Sequence, residues 1–176
     1  DKALAEIDAM LLEDPFSPYL YEIKGQILVE NHRVDEALLP LRRAVDLAPR
    51  EPLILTALGQ ALVATENESH LREARFILER ATQLDRENTF GWYNLAIVYT
   101  RLNMPAHASL ASAERYGVIG NARLAVMQAN MAVRGLKEHS PEWLRAQDIL
   151  YINQARAKKQ QREEQQRRRR EERGQR

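Results

Sequence analysis

The 176-residue chain contains no cysteine. That excludes disulfides, thiol catalysis and cysteine-ligated zinc, while leaving reducing and oxidising compartments both open. No run approaches the roughly 18 consecutive apolar residues that span a bilayer. The opening "DKALAEIDAM" carries acids where a secretory leader carries a basic segment, so no signal peptide is expected within these residues. Glycine is scarce, and neither Gly25 nor Gly59 belongs to a G-x-x-x-x-G-K phosphate loop. His32, His70, His107 and His139 each stand alone, mostly at predicted turns, with no H-E-x-x-H or similar i, i+4 pair. Ser and Thr are few, and none has a recognisable nucleophile setting. The chain is therefore expected to be no enzyme by itself, to hold no metal and to need no cofactor.

What is present is enough apolar and charged material, 44% and 29%, for one packed domain or a short repeat array. The net charge of +1 conceals an asymmetry. Residues 156–176 hold ten Arg or Lys and four Glu, a net of +6, so residues 1–155 carry −5. An acidic body with a basic end can attract an oppositely charged surface through that end.

The body is periodic. Gly25, Ala37, Ala44 and Pro49 are separated by 12, 7 and 5 residues, and Gly59, Ala74, Ala81 and Arg86 follow with 15, 7 and 5. Small residues at fixed places in a period of about 34, with Pro near the end, resemble the tetratricopeptide repeat, whose two antiparallel helices pack small residues against large ones. Counted from Pro18, the unit reads Tyr21, Lys24, Gly25, Leu28, Ala37, Leu41, Ala44 and Pro49, with Lys24 the departure. Counted from Pro52 it reads Leu55, Leu58, Gly59, Leu62, then, past a three-residue insertion in "TENESHLRE" expected to lengthen the inter-helix turn, Ala74, Leu78, Ala81 and Arg86. From Thr89 it gives Trp92, Leu95, Ala96 and Tyr99, the strongest first helix in the chain.

The following second helix fits less well, because Ala113, Ala125, Ala132 and Lys137 restore the 12, 7, 5 spacing from a start at Ala106, 17 residues after Thr89. Half a repeat is 17, so the helix from about Pro105 to Tyr116 is expected to serve two units at once. Ala3, Ile7, Met10 and Pro15 fall where a second helix places them, with no first helix before it. A solenoid unit cannot bury its apolar face alone, so the chain is expected to be part of a longer one.

The pattern predicts an all-α, TPR-like helical-repeat solenoid with a long charged C-terminal helix or tail. Residues 1–17 form the second helix of a truncated repeat, 18–51 a complete unit, 52–88 a unit with an insertion, 89–137 units overlapping by half a repeat, 140–157 a capping helix and 158–176 a basic charged tail. Pro18, Pro52 and Pro141 sit where a first-turn proline costs no hydrogen bond, with Ser17 and Ser140 as N-caps before two of them. Trp143, Leu144, Ile149, Leu150 and Ile152 are available to cover the last repeat. After Ala157 no apolar residue remains, and the i, i+4 pairs Glu163 with Arg167 and Glu164 with Arg168 could carry a solvated helix or leave it to fray.

The tetratricopeptide resemblance implies that first helices line a concave groove. The side chains turned into it would include Tyr19, Glu22, Gln26, Gln60, Phe90, Tyr93, Asn94, Ile97 and Arg101. Asn94 could pair with a peptide backbone, and Tyr19, Phe90 and Tyr93 offer apolar contact. Phe90 and Tyr19 could equally pack against the neighbouring repeat. The Lys, Asn and Arg clamp of chaperone-tail binders is replaced by Glu22, Gln26, Thr56 and Gln60. A groove of aromatics and amides suits an extended or partly unfolded polypeptide better than a short acidic tail.

A narrower resemblance rests on "KGQIL" in place of the usual Leu-Gly, the "LASAER" helix at the half-repeat slip, and the closing "SPEWLRAQDIL". Over about residues 1–152 the chain resembles the C-terminal repeat domain of bacterial periplasmic zinc metalloproteases of the BepA type. The resemblance implies a periplasmic location and a role in recruiting substrates or partners during envelope protein quality control. Partners would be proteins or peptides, among them a metalloprotease catalytic domain and outer-membrane assembly proteins, with zinc confined to a peptidase domain outside these residues. Two alternatives are a structural shield for a protease active site, and binding of an anionic surface through "RRRR" at 167–170. With no aromatic interleaving, and Glu171 and Glu172 adjacent, nucleic acid is not the expected partner, and any membrane association is expected to be indirect.

Overall fold

The structure, a computed structural model, describes residues 2–174 and, of these, the side chains other than 164 and 166–174. Among the described residues there are nine helices and no strand. They are α1 (Lys2–Glu13), α2 (Pro18–Glu30), α3 (Val34–Leu47), α4 (Pro52–Ala64), α5 (Glu68–Leu84), α6 (Thr89–Arg101), α7 (Pro105–Val118), α8 (Ala122–Gly135) and α9 (Pro141–Gly174). No helix among them is long and apolar enough to cross a membrane. The chain divides into two compact units, Asp1–Leu102 and Asn103–Arg176.

In the first unit α2 pairs with α3 and α4 with α5, and each second helix also packs on the next first helix. The first helices α2, α4 and α6 therefore become neighbours, α2 beside α4 and α4 beside α6. The small residues read from the sequence set how closely each pair approaches. A Cβ placed on Gly59 would stand 2.5 Å from Cγ of Leu78, and one on Gly25 would run into Leu41 in the same way. Leu41, Leu55, Leu58, Leu62 and Leu78 are essentially sealed from solvent, with Ala37, Ala44, Ala74 and Ala81 between them.

The repeats are also stitched by a recurring polar contact. The phenol of Tyr21 donates to the Pro15 carbonyl at 3.3 Å, and the indole of Trp92 donates to the Arg86 carbonyl at 2.9 Å. Both reach back six residues to the carbonyl at the proline position of the preceding unit, held by Pro15 in one case and Arg86 in the other, so an amphipathic ring packs its body and satisfies its polar tip together.

Two expectations are corrected here. The insertion does not lengthen a turn: α5 has 17 residues against 14 in α3, while each first helix is joined to its partner by residues 31–33 or 65–67. The extra residues enter the helix because Asn67 caps it early, its Oδ1 accepting from Ser69 N at 2.8 Å. Ser17 stands at the N-cap of α2 but its side chain makes no capping bond, whereas Ser140 Oγ accepts from Trp143 N at 3.2 Å.

In the second unit α7 pairs with α8, and α9 lies along α8 and touches α7. Alanine makes this close: Ala113, Ala125, Ala129, Ala132 and Ala146 are fully buried, with Ile149 and Leu150 of α9 closing the core. Leu144 and Ile152 do not join them, being 49% and 53% exposed, because helical periodicity turns them away from the face carrying Ala146, Ile149 and Leu150. Glu114 of α7, almost wholly buried, takes both prongs of the Arg145 guanidinium, the Nη2–Oε2 distance being 2.7 Å. That bond raises the Arg145 pKa further above its ordinary value. Further along α9, Gln160 Nε2 donates to the Gly120 carbonyl at 2.9 Å, and its Oε1 accepts from Arg123 N at 3.3 Å, which holds the helix against the α7–α8 turn. The partners Arg167, Glu164 and Arg168, the run at 167–170, and Glu171 and Glu172 lie outside the described side chains.

Candidate functional site

In α2 the residues Gly25 and Leu28 turn inward, with Gly25 set against Leu41 of α3, and Lys24 reaches Asp8 of α1 with an Nζ–Oδ1 distance of 2.6 Å. At 3.6 residues per turn, the side of the helix opposite Gly25 carries Tyr19, Ile23 and Gln26. The same registers in α4 carry Leu53, Ala57 and Gln60, and in α6 Phe90, Asn94 and Ile97. Because the three first helices are neighbours, these positions form one face within the first unit.

Its first row is Tyr19, Leu53 and Phe90, exposed by 58%, 67% and 47%. The row is aligned by a buried polar chain at the start of α6. Asn88 caps that helix, its Oδ1 accepting from Gly91 N at 2.8 Å, while its Nδ2 donates to Thr56 Oγ1 of α4, also at 2.8 Å. The Thr56 hydroxyl in turn donates to the Pro52 carbonyl at 2.8 Å. Every polar atom in this chain has a partner, so the α4–α6 register is fixed without cost to the core.

Of the residues expected to line the groove, Tyr19, Gln26, Phe90, Tyr93 and Arg101 are exposed, and Glu22, Gln60 and Ile97 are half-buried. Phe90 and Tyr93 stack with ring centroids 6.4 Å apart. Asn94 differs from the rest: it is buried, and its Nδ2 donates to the Phe90 carbonyl of its own helix at 3.0 Å. Its amide N–H therefore serves the helix, where the sequence suggested pairing with a bound backbone. Thr56 is likewise withdrawn into the Asn88 chain. Leu53 was missed; the signal that finds it is its shared register with Tyr19 and Phe90, masked in the sequence by the apolar run "PLILTALG".

The charges carried by these helices are unequal in their ties. Arg101 Nη1 donates to the Val63 carbonyl at the end of α4, 2.8 Å away. Lys24 is held by Asp8. Glu22 is half-buried and receives the amide of Gln26, and among the described residues no ion pair offsets its burial. Desolvation accordingly pushes its carboxyl above the usual 4.5.

The second unit has a concavity of its own, about 510 Å³, between the start of α7 and the end of α8. It is lined by Asn103, Met104, Pro105, Ala106, His107, Ser109, Met131, Arg134 and Gly135. None of the residues expected to line the groove lies there.

No protein-family model matches the chain. Among curated proteins, Protein NPGR2 of Arabidopsis thaliana is 29% identical over 85 residues, which are 48% of this chain and 12% of that protein's length. Among solved structures, the crystal structure of MamA superposes with a TM-score of 0.63 at 19% identity, covering 91% of this chain and 90% of that one. A second MamA structure gives 0.61 at 18% identity over 84% and 80%. A thermophilic TPR protein in Thermus thermophilus gives 0.52 at 19% identity over 85% and 89%. The fold is thus all-helical and TPR-like.

Proposed function

We propose that this chain is a protein–protein interaction module that takes an extended polypeptide on the face shared by α2, α4 and α6. The observation that carries this reading is the row Tyr19, Leu53 and Phe90: three large apolar side chains left in water on adjacent helices whose opposite sides are fully packed. Exposed apolar side chains scattered singly need no explanation, but a set aligned across neighbouring helices marks a binding surface. The TPR-like fold supports it, since stacked helix pairs present an extended binding surface of this kind. No catalytic role is assigned to the chain.

The finer reading comes from the sequence resemblance. We infer a periplasmic module that recruits substrates or partners to a zinc metalloprotease during envelope quality control, with zinc and peptidase chemistry residing outside this chain. A photo-crosslinking amino acid in place of Tyr93, used in an envelope extract, tests both levels. Crosslinks to polypeptides that disappear with Leu53→Ser support the module, and a crosslinked or co-purifying H-E-x-x-H protein supports the protease association. Crosslinks indifferent to Leu53→Ser would move binding off this face.

A further inference from the structure

The apolar row states where a polypeptide would lie, and the charges beside it state which polypeptide. Resting on the reading above, we propose that the α2–α4–α6 face selects an extended segment carrying a Lys or Arg side chain, which pairs with Glu22 while apolar side chains of the same segment rest on Tyr19, Leu53 and Phe90.

Neighbouring packed helices lie about 8–10 Å apart, and an extended chain in the polyproline II conformation rises about 3.1 Å per residue and returns its side chains to the same side every third residue. A segment in that conformation crossing the three helices therefore meets Tyr19, Leu53 and Phe90 with apolar residues at every third position. Glu22 lies on α2 roughly one turn beyond Tyr19, so a basic residue of the segment near that end falls within its reach.

Charge complementarity decides the sign. Glu22 is drawn partly out of water and, among the described residues, has the Gln26 amide as its one hydrogen-bond partner. The cations that α2, α4 and α6 carry are engaged elsewhere, Lys24 by Asp8 and Arg101 by the Val63 carbonyl. A half-buried carboxylate without a counter-ion is unfavourable in the free protein and is relieved by an incoming cation, which makes the pair worth more than a solvated surface bridge. An acidic segment would meet repulsion at the same place, so Glu22 also discriminates against the wrong sequence.

The test uses the full chain and three fluorescent peptides with leucine at every third position, identical except for one lysine, glutamine or glutamate beside the end leucine. Fluorescence anisotropy should give tightest binding for lysine, about tenfold weaker for glutamate. Glu22→Gln should erase that preference, and Glu22→Lys should reverse it. Circular dichroism melts keep the comparison to folded protein, and Glu22→Gln is expected to melt no lower than the parent. Equal binding of the three peptides, or a preference that survives Glu22→Gln, overturns the role of Glu22 while leaving the apolar groove intact. Binding of none, or binding unaffected by Leu53→Ser, overturns the groove itself and this inference with it.

Discussion

Asn88, the N-cap of α6, and Thr56 of α4 are joined by an Nδ2–Oγ1 hydrogen bond of 2.8 Å, 32 residues apart in sequence and both buried. This one bond ties the N-cap of the third first helix to the flank of the second. Replacing Asn88 with Ala removes a helix cap and strands the Thr56 lone pairs, so it should destabilise the protein by about 2 kcal/mol. A Thr56→Val variant, which strands the Asn88 amide instead, should fall in the same range, and the double variant should cost clearly less than the sum. Urea unfolding of the four proteins measures the coupling; additive losses would mean that the bond does not act as a unit.

Gly59 lies against Leu78 with no room for a methyl group. Gly59→Ala gains helix propensity worth about 1 kcal/mol but forces Leu78 to move, at a cost of about 1–3 kcal/mol. A net loss in thermal stability is expected, and the double variant with Leu78→Ala should cost less than the sum of the two single losses, because the added methyl enters space the leucine leaves. A Gly59→Ala protein that melts higher than the parent would show that the helices separate freely.

His32 ends the α2 turn in the left-handed region, φ 60°, with its N–H donating to the Val29 carbonyl at 3.0 Å. A non-glycine residue there costs about 1–2 kcal/mol, partly offset by the greater unfolded-state freedom of glycine. His32→Gly should therefore stabilise by up to about 1 kcal/mol, while His32→Val, β-branched, should destabilise. Differential scanning calorimetry reads both signs.

Glu22 carries a carboxyl raised above 4.5 by burial. A group whose folded pKa lies above its unfolded value binds its proton more tightly in the folded state, so folding loses stability as pH rises from the ordinary carboxylate range through the folded pKa. Glu22→Gln should consequently raise the melting temperature at pH 7 and leave it unchanged at acid pH where both forms are neutral. Melts across that interval check it; an equal shift at both ends would assign the effect to packing.

The sequence by itself determined the helix pairs of the first unit. Gly25 with Leu41 and Gly59 with Leu78 are local instructions, because a missing Cβ and a large aliphatic at fixed repeat positions specify a close crossing whatever surrounds them. Pro18, Pro52 and Pro141 mark helix starts for a reason equally local, the absent N–H. Tertiary structure decided the rest. Asn94 occupies a groove register yet is buried, and Leu53 is exposed within an apolar run, since exposure depends on which neighbour a face meets and periodicity gives only the face. The three extra residues of the second repeat went into α5 because Asn67 could cap it there, a competition between turn and helix that spacing alone does not resolve. That Glu22 has no counter-ion among the described residues follows from Lys24 finding Asp8 and Arg101 finding the Val63 carbonyl, partners separated by 16 and 38 residues that only the folded chain brings together.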